Sequence, residues 1–185
     1  MVPFQRVDFH WNAWVRMAPL IRTRVVDSFD HGTGLLSGWV FGFIRIVRSR
    51  GRATDKGEVM RGLAELPWRP FAFGEVPPLA WEALEGDKLL ASFNDWRTQA
   101  AVVFDVDREE RVLGGIGSDH PRLVGKSVVE TGWSGSFGNY RVFDGVRIPT
   151  AAEAIWHPPE GPSHTGGDML RSFAFSIDMR TLGTQ

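Results

Sequence analysis

The fold is decided by the stretch Gly57-Glu58-Val59-Met60-Arg61-Gly62-Leu63-Ala64-Glu65-Leu66-Pro67-Trp68-Arg69-Pro70, which has a clear helical period in a chain that otherwise reads as strands and turns. At about 100° per residue, four apolar side chains fall on one side of a helix. They are Val59, Met60, Leu63 and Leu66. Pro67 disfavours the α conformation at Leu66, so we expect the helix to end there. A single short helix must lie across a sheet to bury its apolar side.

The opposite side of this helix is charged. Glu58, Arg61 and Glu65 fall together at the i, i+3, i+7 spacing. Two carboxylates beside a guanidinium can supply a general acid, a general base and an anion clamp. We therefore predict Glu65 as the acid or base, Arg61 as the clamp and Glu58 as the residue that orients the clamp. The alternative is a solvated helix face whose ion pairs contribute little to stability.

Strand and turn signals account for the rest of the chain. Residues 21–29 and 38–47 read as a hairpin around a turn at 30–34, and Thr54 or Asp55 is a candidate helix N-cap. The meander that follows has predicted strands at 80–84, 88–93, 99–105, 111–116, 124–133, 140–143, 146–148, 153–157 and 171–177. A sheet of this size curls or closes. The prediction is a mainly β (α+β) fold: one curved antiparallel sheet or half-barrel, a single domain over residues 1–185, with the helix across its concave face.

Composition excludes several classes of protein. The 185 residues include no cysteine, which excludes disulfides, thiolate metal sites and cysteine nucleophiles. Lys+Arg is 21 and Asp+Glu is 22, a balance that argues against nonspecific nucleic-acid binding. The five histidines have no metal-ligand spacing, so we expect no metal and no cofactor. The first eight residues lack the apolar region of a signal peptide, and no apolar run reaches the ~20 residues of a membrane span. We therefore expect a cytoplasmic protein.

A second candidate surface lies on the strand predicted over 38–47. With a period of two, Trp39, Phe41, Phe43 and Arg45 share one face. Three aromatic rings and a cation would make a floor for a hydrophobic substrate with an anionic or carbonyl end. The alternative is core packing of the rings, with Arg45 extending to water at the rim.

Three further side chains belong to the candidate site. Asp27 is in phase with apolar neighbours and needs a partner, for which Arg45 on the paired strand is the candidate. Trp68 is predicted as a wall of the substrate cavity. Tyr140, the only tyrosine, either donates a proton to a developing oxyanion or keeps its hydroxyl in water.

Several short motifs together resemble a family of bacterial proteins catalogued as a domain of unknown function. The likeness runs over most of the chain from about Arg22, and its most specific part is the helix with its ELPW-type ending at residues 65–68. The other matching residues are 24–27, Gly34, Trp81, 133–135, Tyr140, 145–149 and Trp156. The resemblance implies no catalytic residues, because the family has no established activity. By fold analogy it is similar to the half-barrels of the lipoprotein-localisation factors and of the violacein-pathway enzyme, which says little about function.

These observations support one predicted function and two alternatives. The prediction is a cofactor-independent enzyme of cyclase, isomerase or lyase type, which acts by acid–base chemistry on a hydrophobic small molecule in the half-barrel cavity. Secondary-metabolite biosynthesis is the setting considered for it. The first alternative is a non-catalytic carrier or sensor of a lipid-like ligand. The second is an interaction module that binds a partner through the charged side of the helix. The sequence leaves a homodimer open.

Overall fold

The computed structural model describes residues 8–18, 20–70, 78–124, 127–157 and 172–176. The first part holds four strands: β1 (Phe9–Ala18), β2 (Ile21–Asp30), β3 (Thr33–Val40) and β4 (Ile44–Ser49). The helix α1 (Arg52–Ala64) and a 3₁₀ turn (Leu66–Trp68) follow. The later strands are β5 (Leu79–Leu84), β6 (Lys88–Asn94), β7 (Gln99–Val106), β8 (Val112–Val124), β9 (Ser127–Gly138), β10 (Arg141–Phe143), β11 (Val146–Ile148), β12 (Ala151–His157) and β13 (Ser172–Ser176).

All strand pairs are antiparallel. The first sheet has the order β1-β2-β3-β4, the second has the order β13-β12-β9-β8-β7-β6-β5, and β10 pairs with β11. The helix α1 packs against β2 and β3 of the first sheet and against β7 and β8 of the second. The predicted class, a mainly β antiparallel fold with one helix across its strands, is confirmed. Among the described residues, no helix is long and apolar enough to cross a lipid bilayer.

The apolar side of α1 forms the centre of the core, as predicted. Val59, Met60 and Leu63 have no exposed surface, and Leu66 is 1% exposed. Burial of side chains of this size contributes about 1.5–3 kcal/mol each. The α-helix ends at Ala64, two residues before the predicted end, and the chain continues as the 3₁₀ turn that contains Pro67. From the second sheet, Phe93, Phe104 and Trp133 belong to the same core.

The predicted N-cap of the helix is wrong. The helix begins at Arg52 after Gly51, so Asp55 lies inside its first turn, where it is fully buried. Its Oδ1 accepts a 2.7 Å hydrogen bond from the amide of Gly34 on β3, and its Oδ2 lies 3.2 Å from the guanidinium of Arg97. A carboxylate in the first turn also interacts favourably with the helix dipole. Asp55 therefore links the helix to both sheets instead of capping it.

The prediction of one strand over 38–47 is also wrong. The chain reverses at Phe41 and Gly42, which have φ angles of 54° and 82°, and β4 then pairs back onto β3. Gly42 allows this left-handed turn at low cost. Trp39 consequently lies directly opposite Arg45 on the neighbouring strand, instead of on the same strand face. The four residues predicted as one floor are therefore divided between two strands and a turn.

The predicted meander agrees closely with the structure, with one exception. The predicted strand at 124–133 spans the reversal between β8 and β9, where Val124 pairs with Ser127. The strand predicted at 111–116 continues to Val124. Both errors have one origin, because an even alternation of side chains carries through a tight hairpin without a clear break.

Candidate functional site

Four charged side chains meet where α1 crosses the first sheet, and we call them the carboxylate–arginine cluster: Asp27 on β2 and Glu58, Arg61 and Glu65 on α1. One terminal nitrogen of Arg61 pairs with Oδ2 of Asp27. The Nε of Arg61 donates a 3.0 Å hydrogen bond to Oε1 of Glu65. The Asp27 side chain is 5% exposed, whereas Arg61 and Glu65 are 28% and 27% exposed. The structure therefore brings the predicted helix stripe together with one buried carboxylate from the sheet.

The predicted partner of Asp27 is wrong. Arg45 lies on β4, which is separated from β2 by β3. The face of β2 that carries Asp27 is covered by the helix, so Arg61 reaches it instead. A buried carboxylate needs a cationic or hydrogen-bonding partner, and the helix supplies one.

Glu58 has the most unusual environment of the cluster. It is 7% exposed, and its Oε2 has no hydrogen-bond partner among the described residues. Burial, with a further contribution from the negative charge of Glu65, raises the pKa of Glu58 to about 8. Desolvation disfavours the charged form of a carboxyl group. Glu58 is therefore protonated at neutral pH.

A second arginine, Arg69, balances the charge of this region. It donates a 2.7 Å hydrogen bond to the carbonyl oxygen of Gly62. Burial lowers its pKa, against the opposing effect of Glu65. With Glu58 neutral, the two carboxylates Asp27 and Glu65 stand against the two guanidinium groups. Ionisation of Glu58 would leave an uncompensated buried negative charge, which is costly.

Two aromatic rings from β1 form a wall beside Arg61. The ring of Trp11 is 4.4 Å from the guanidinium carbon, and the ring of Phe9 is 6.0 Å from it. Trp11 pairs with Asp27 across β1 and β2, which places both side chains on the face toward the helix. Sequence reasoning missed these rings because it left the type of segment 9–20 open. The alternation of Phe9 and Trp11 was the signal that could have found them.

His120 on β8 is a further residue that sequence reasoning missed. Its Nδ1 donates to the carbonyl oxygen of Pro121 at 3.0 Å, and its ring meets Trp156 edge-on at a centroid distance of 5.0 Å. Burial lowers the pKa of His120 to about 4, and the charge of Arg61 acts in the same direction. The imidazole is therefore neutral at physiological pH. Gly57 leaves room for it, since an added Cβ would lie 3.4 Å from Cε1.

The remaining predicted site residues lie elsewhere. Trp68 packs edge-on against Phe137 at 5.2 Å and donates a 2.8 Å hydrogen bond to the carbonyl oxygen of Pro149. Tyr140 donates a 2.6 Å hydrogen bond to the carbonyl oxygen of Val112, and burial raises its pKa to about 12. Its hydroxyl is thus bonded to the backbone, so the interpretation with that group in water is wrong. Phe41 and Phe43 are 50% and 75% exposed at the β3–β4 turn.

Two other groupings could carry chemistry. Ser134 Oγ and His157 Nε2 are 2.8 Å apart at exposed positions of β9 and β12, with no acidic group among the described residues hydrogen-bonded to the imidazole. Asp8, Asp30 and His31 place one potential metal ligand each within 4.8 Å of one another. Such exposed groups are common without a metal ion, and the expected absence of a metal stays a prediction.

Comparison with known proteins identifies a family. The model of DUF6544, a family of unknown function, matches residues 1–166. The predicted likeness to such a family is therefore confirmed, while the ELPW-type motif and the two half-barrel analogies stay predictions. No curated protein and no solved structure matches the chain.

Proposed function

This chain belongs to the DUF6544 family of unknown function, and we propose that it binds a hydrophobic small molecule at the carboxylate–arginine cluster and acts on it by cofactor-independent acid–base chemistry. Cyclisation, isomerisation and elimination need only positioning and proton transfer. The cytoplasm and secondary-metabolite biosynthesis are the proposed setting, without a nucleic-acid partner.

The observation that carries this proposal is the contrast between two neighbouring glutamates. Glu58 is buried and protonated at neutral pH, with Oε2 unpaired among the described residues. Glu65 is more exposed and bonded to Arg61, an ion pair that favours a carboxylate. Two carboxyl groups in environments that separate their protonation states can serve as acid and base. Glu58 is then the proton donor, and Glu65 keeps the role of base.

Arg61 is the proposed clamp for the carbonyl or carboxylate end of the ligand. Asp27 is buried and fixes the guanidinium from one side. The pair with Glu65 is an i, i+4 contact exposed to solvent, which contributes only about 0.3–0.5 kcal/mol. A ligand oxygen can therefore replace Glu65 on Nε at little cost. The ring of Trp11, at 4.4 Å from the guanidinium carbon, provides an apolar surface beside the clamp.

The second candidate function is a carrier of a lipid-like ligand. The position of Phe9 and Trp11 against Arg61 supports it, because an amphiphile needs an apolar wall and a charge side by side whether or not a proton moves. In a carrier, Glu58 would be a buried neutral group with no role in turnover.

A two-stage experiment tests the proposal. Tryptophan fluorescence titration with a panel of arylalkyl carboxylic acids and the matching methyl ketones measures binding. Proton NMR of each bound compound in D₂O then measures exchange of carbon-bound protons. We expect Arg61→Gln to weaken binding at least tenfold. Glu58→Gln should keep binding and slow exchange by roughly 10²–10⁴-fold. Glu153→Gln, at an exposed position of β12, is the matched control.

Each outcome has a defined consequence. Binding without exchange in the wild-type protein would favour the carrier. Full exchange in Glu65→Gln would remove that residue from the mechanism. If no compound binds, or if Arg61→Gln binds as tightly as the wild type, the cluster is not the ligand site.

A further inference from the structure

One end of the first sheet carries two hairpin turns with exposed apolar side chains and arginines, and we propose that this end docks on an anionic lipid surface. The hairpin-tip surface consists of Trp14, Arg16, Leu20, Arg22, Phe41 and Phe43. None of these residues belongs to the carboxylate–arginine cluster, so the inference stands independently of the proposed function.

The two turns lie side by side. Thr23 on β2 pairs with Val15 on β1 and with Val40 on β3, so the β1–β2 and β3–β4 turns project from the same end of the sheet. The amide of Phe41 donates a 2.8 Å hydrogen bond to the carbonyl oxygen of Arg22, which ties the second turn to the first. Trp14 packs on Gly42, where an added Cβ would meet its ring at 2.6 Å. The tip is therefore one connected surface.

The apolar side chains of this surface face water. Leu20 is 88% exposed, Phe43 75% and Trp14 58%. Phe41 and Phe43 stack on each other at a centroid distance of 6.4 Å, so these rings project together and gain little burial from the protein. Contiguous exposed apolar groups on a soluble protein mark a site of interaction.

The charge of the surrounding segments is one-sided. Residues 9–26 and 31–54 contain seven arginines and no aspartate or glutamate, in a chain with a net charge of only −1. Arg16 and Arg22 line an open cleft of about 550 Å³ with Trp14, Leu20 and Phe41. Among the described residues, no carboxylate forms an ion pair with either arginine. A guanidinium binds phosphate oxygens in a bidentate manner, which suits a phospholipid headgroup.

The combination favours a lipid surface over other occupants. Aromatic and aliphatic side chains at the tip can enter the boundary between headgroups and acyl chains while the arginines remain among the phosphates. A single-stranded nucleic acid would use the aromatic faces but would gain nothing from Leu20. A symmetric second copy would bring Arg16 and Arg22 of both copies together without a compensating carboxylate, which opposes association.

The test is vesicle co-sedimentation of the full chain. We compare vesicles of phosphatidylcholine with vesicles containing about one-third phosphatidylglycerol. We expect binding to the anionic vesicles that falls at high salt, since each arginine near such a surface contributes about fivefold in affinity. Leu20→Ser/Phe43→Ser and Arg16→Gln/Arg22→Gln should each weaken binding at least tenfold. Trp96→Ser is the matched control, because Trp96 is 89% exposed and lies beside Arg97, at the turn next to Gly32 at the other end of the sheet.

Several results would overturn the proposal. One is equal binding to both kinds of vesicle, or none to either. Another is a loss of binding in Trp96→Ser as large as in the tip variants. A dimer that dissociates in the tip variants would assign the surface to a second copy. Binding of an oligothymidylate that is lost in the same variants would assign it to nucleic acid. Unchanged thermal unfolding of every variant shows that the fold is kept.

Discussion

The guanidinium of Arg61 on α1 pairs with the buried carboxylate of Asp27 on β2. This ion pair joins the charged side of the helix to the first sheet, while Val59 and Leu63 on the opposite side lie in the core. The helix is therefore held through both of its sides. The position of Arg61, and with it the geometry of the carboxylate–arginine cluster, depends on a residue of the sheet.

Removal of the Asp27 carboxylate should destabilise the protein. Asp27→Ala leaves Arg61 without its buried counter-charge, and we expect a loss of about 3 kcal/mol in the free energy of unfolding. Urea denaturation measures it. Asp30→Ala, at the exposed end of the same strand, should change stability by less than about 0.5 kcal/mol. Equal effects in the two variants would show that the ion pair does not stabilise the fold.

Glu58 should make the protein less stable as the pH rises toward 8. Its pKa is about 8 in the folded state against an ordinary value of 4.5, so between these values the folded state holds a proton that the unfolded state has lost. The free energy of unfolding then falls by up to about 1.4 kcal/mol per pH unit. We expect urea denaturation to show a loss of about 2 kcal/mol between pH 6.5 and 8, absent in Glu58→Gln. The same loss in both proteins would contradict a protonated Glu58.

His120 should act in the opposite direction at lower pH. Its pKa is about 4 in the folded state against an ordinary value of 6.5, so its contribution to stability is fully present above pH 6.5 and is lost as the pH falls toward 4. In the wild-type protein this slope offsets that of Glu58 between about pH 4.5 and 6.5. We expect the stability of His120→Asn, relative to the wild type, to fall as the pH rises through this range. A constant difference between the two would show that His120 titrates normally.

Gly34 should not tolerate a side chain. An added Cβ would lie 2.8 Å from the carbonyl oxygen of Thr54 and 3.0 Å from the backbone of Asp55, so the helix would have to move away from β3. We expect Gly34→Ala to cost about 1–3 kcal/mol, measured by thermal denaturation. Gly138→Ala is the control, because an added Cβ there meets nothing within 4 Å. If both substitutions were equally mild, the close approach of helix and strand would be in doubt.

Tyr140 offers a spectroscopic test of burial. It is the only tyrosine, so ultraviolet absorbance of the phenolate reports on this residue alone. Burial raises its pKa to about 12. We expect no phenolate through about pH 11 in the folded protein, and ionisation near the ordinary pKa of about 10 in concentrated denaturant. Ionisation near pH 10 in both states would mean that the hydroxyl is solvated.

Features that depend on neighbours along the chain could be predicted from the sequence. The apolar side of α1 repeats within a few residues, and Pro67 ends that pattern. The strands of the meander are similarly local, so most of their bounds were predicted correctly. The predicted strand over 38–47 failed because Phe41 is a non-glycine residue in a left-handed turn, which β-favouring side chains on either side conceal.

The sequence by itself therefore determined the class of the fold, the identity of the helix and the charged residues it presents. Only the tertiary structure decided that Arg61, and not Arg45, is the partner of Asp27. It also decided that Glu58 is buried and protonated, and that Trp11 stands beside the clamp. The physical reason is that a partner, a solvent exposure and a pKa depend on the atoms around a group in space, and here those atoms come from strands and a helix that are distant along the chain.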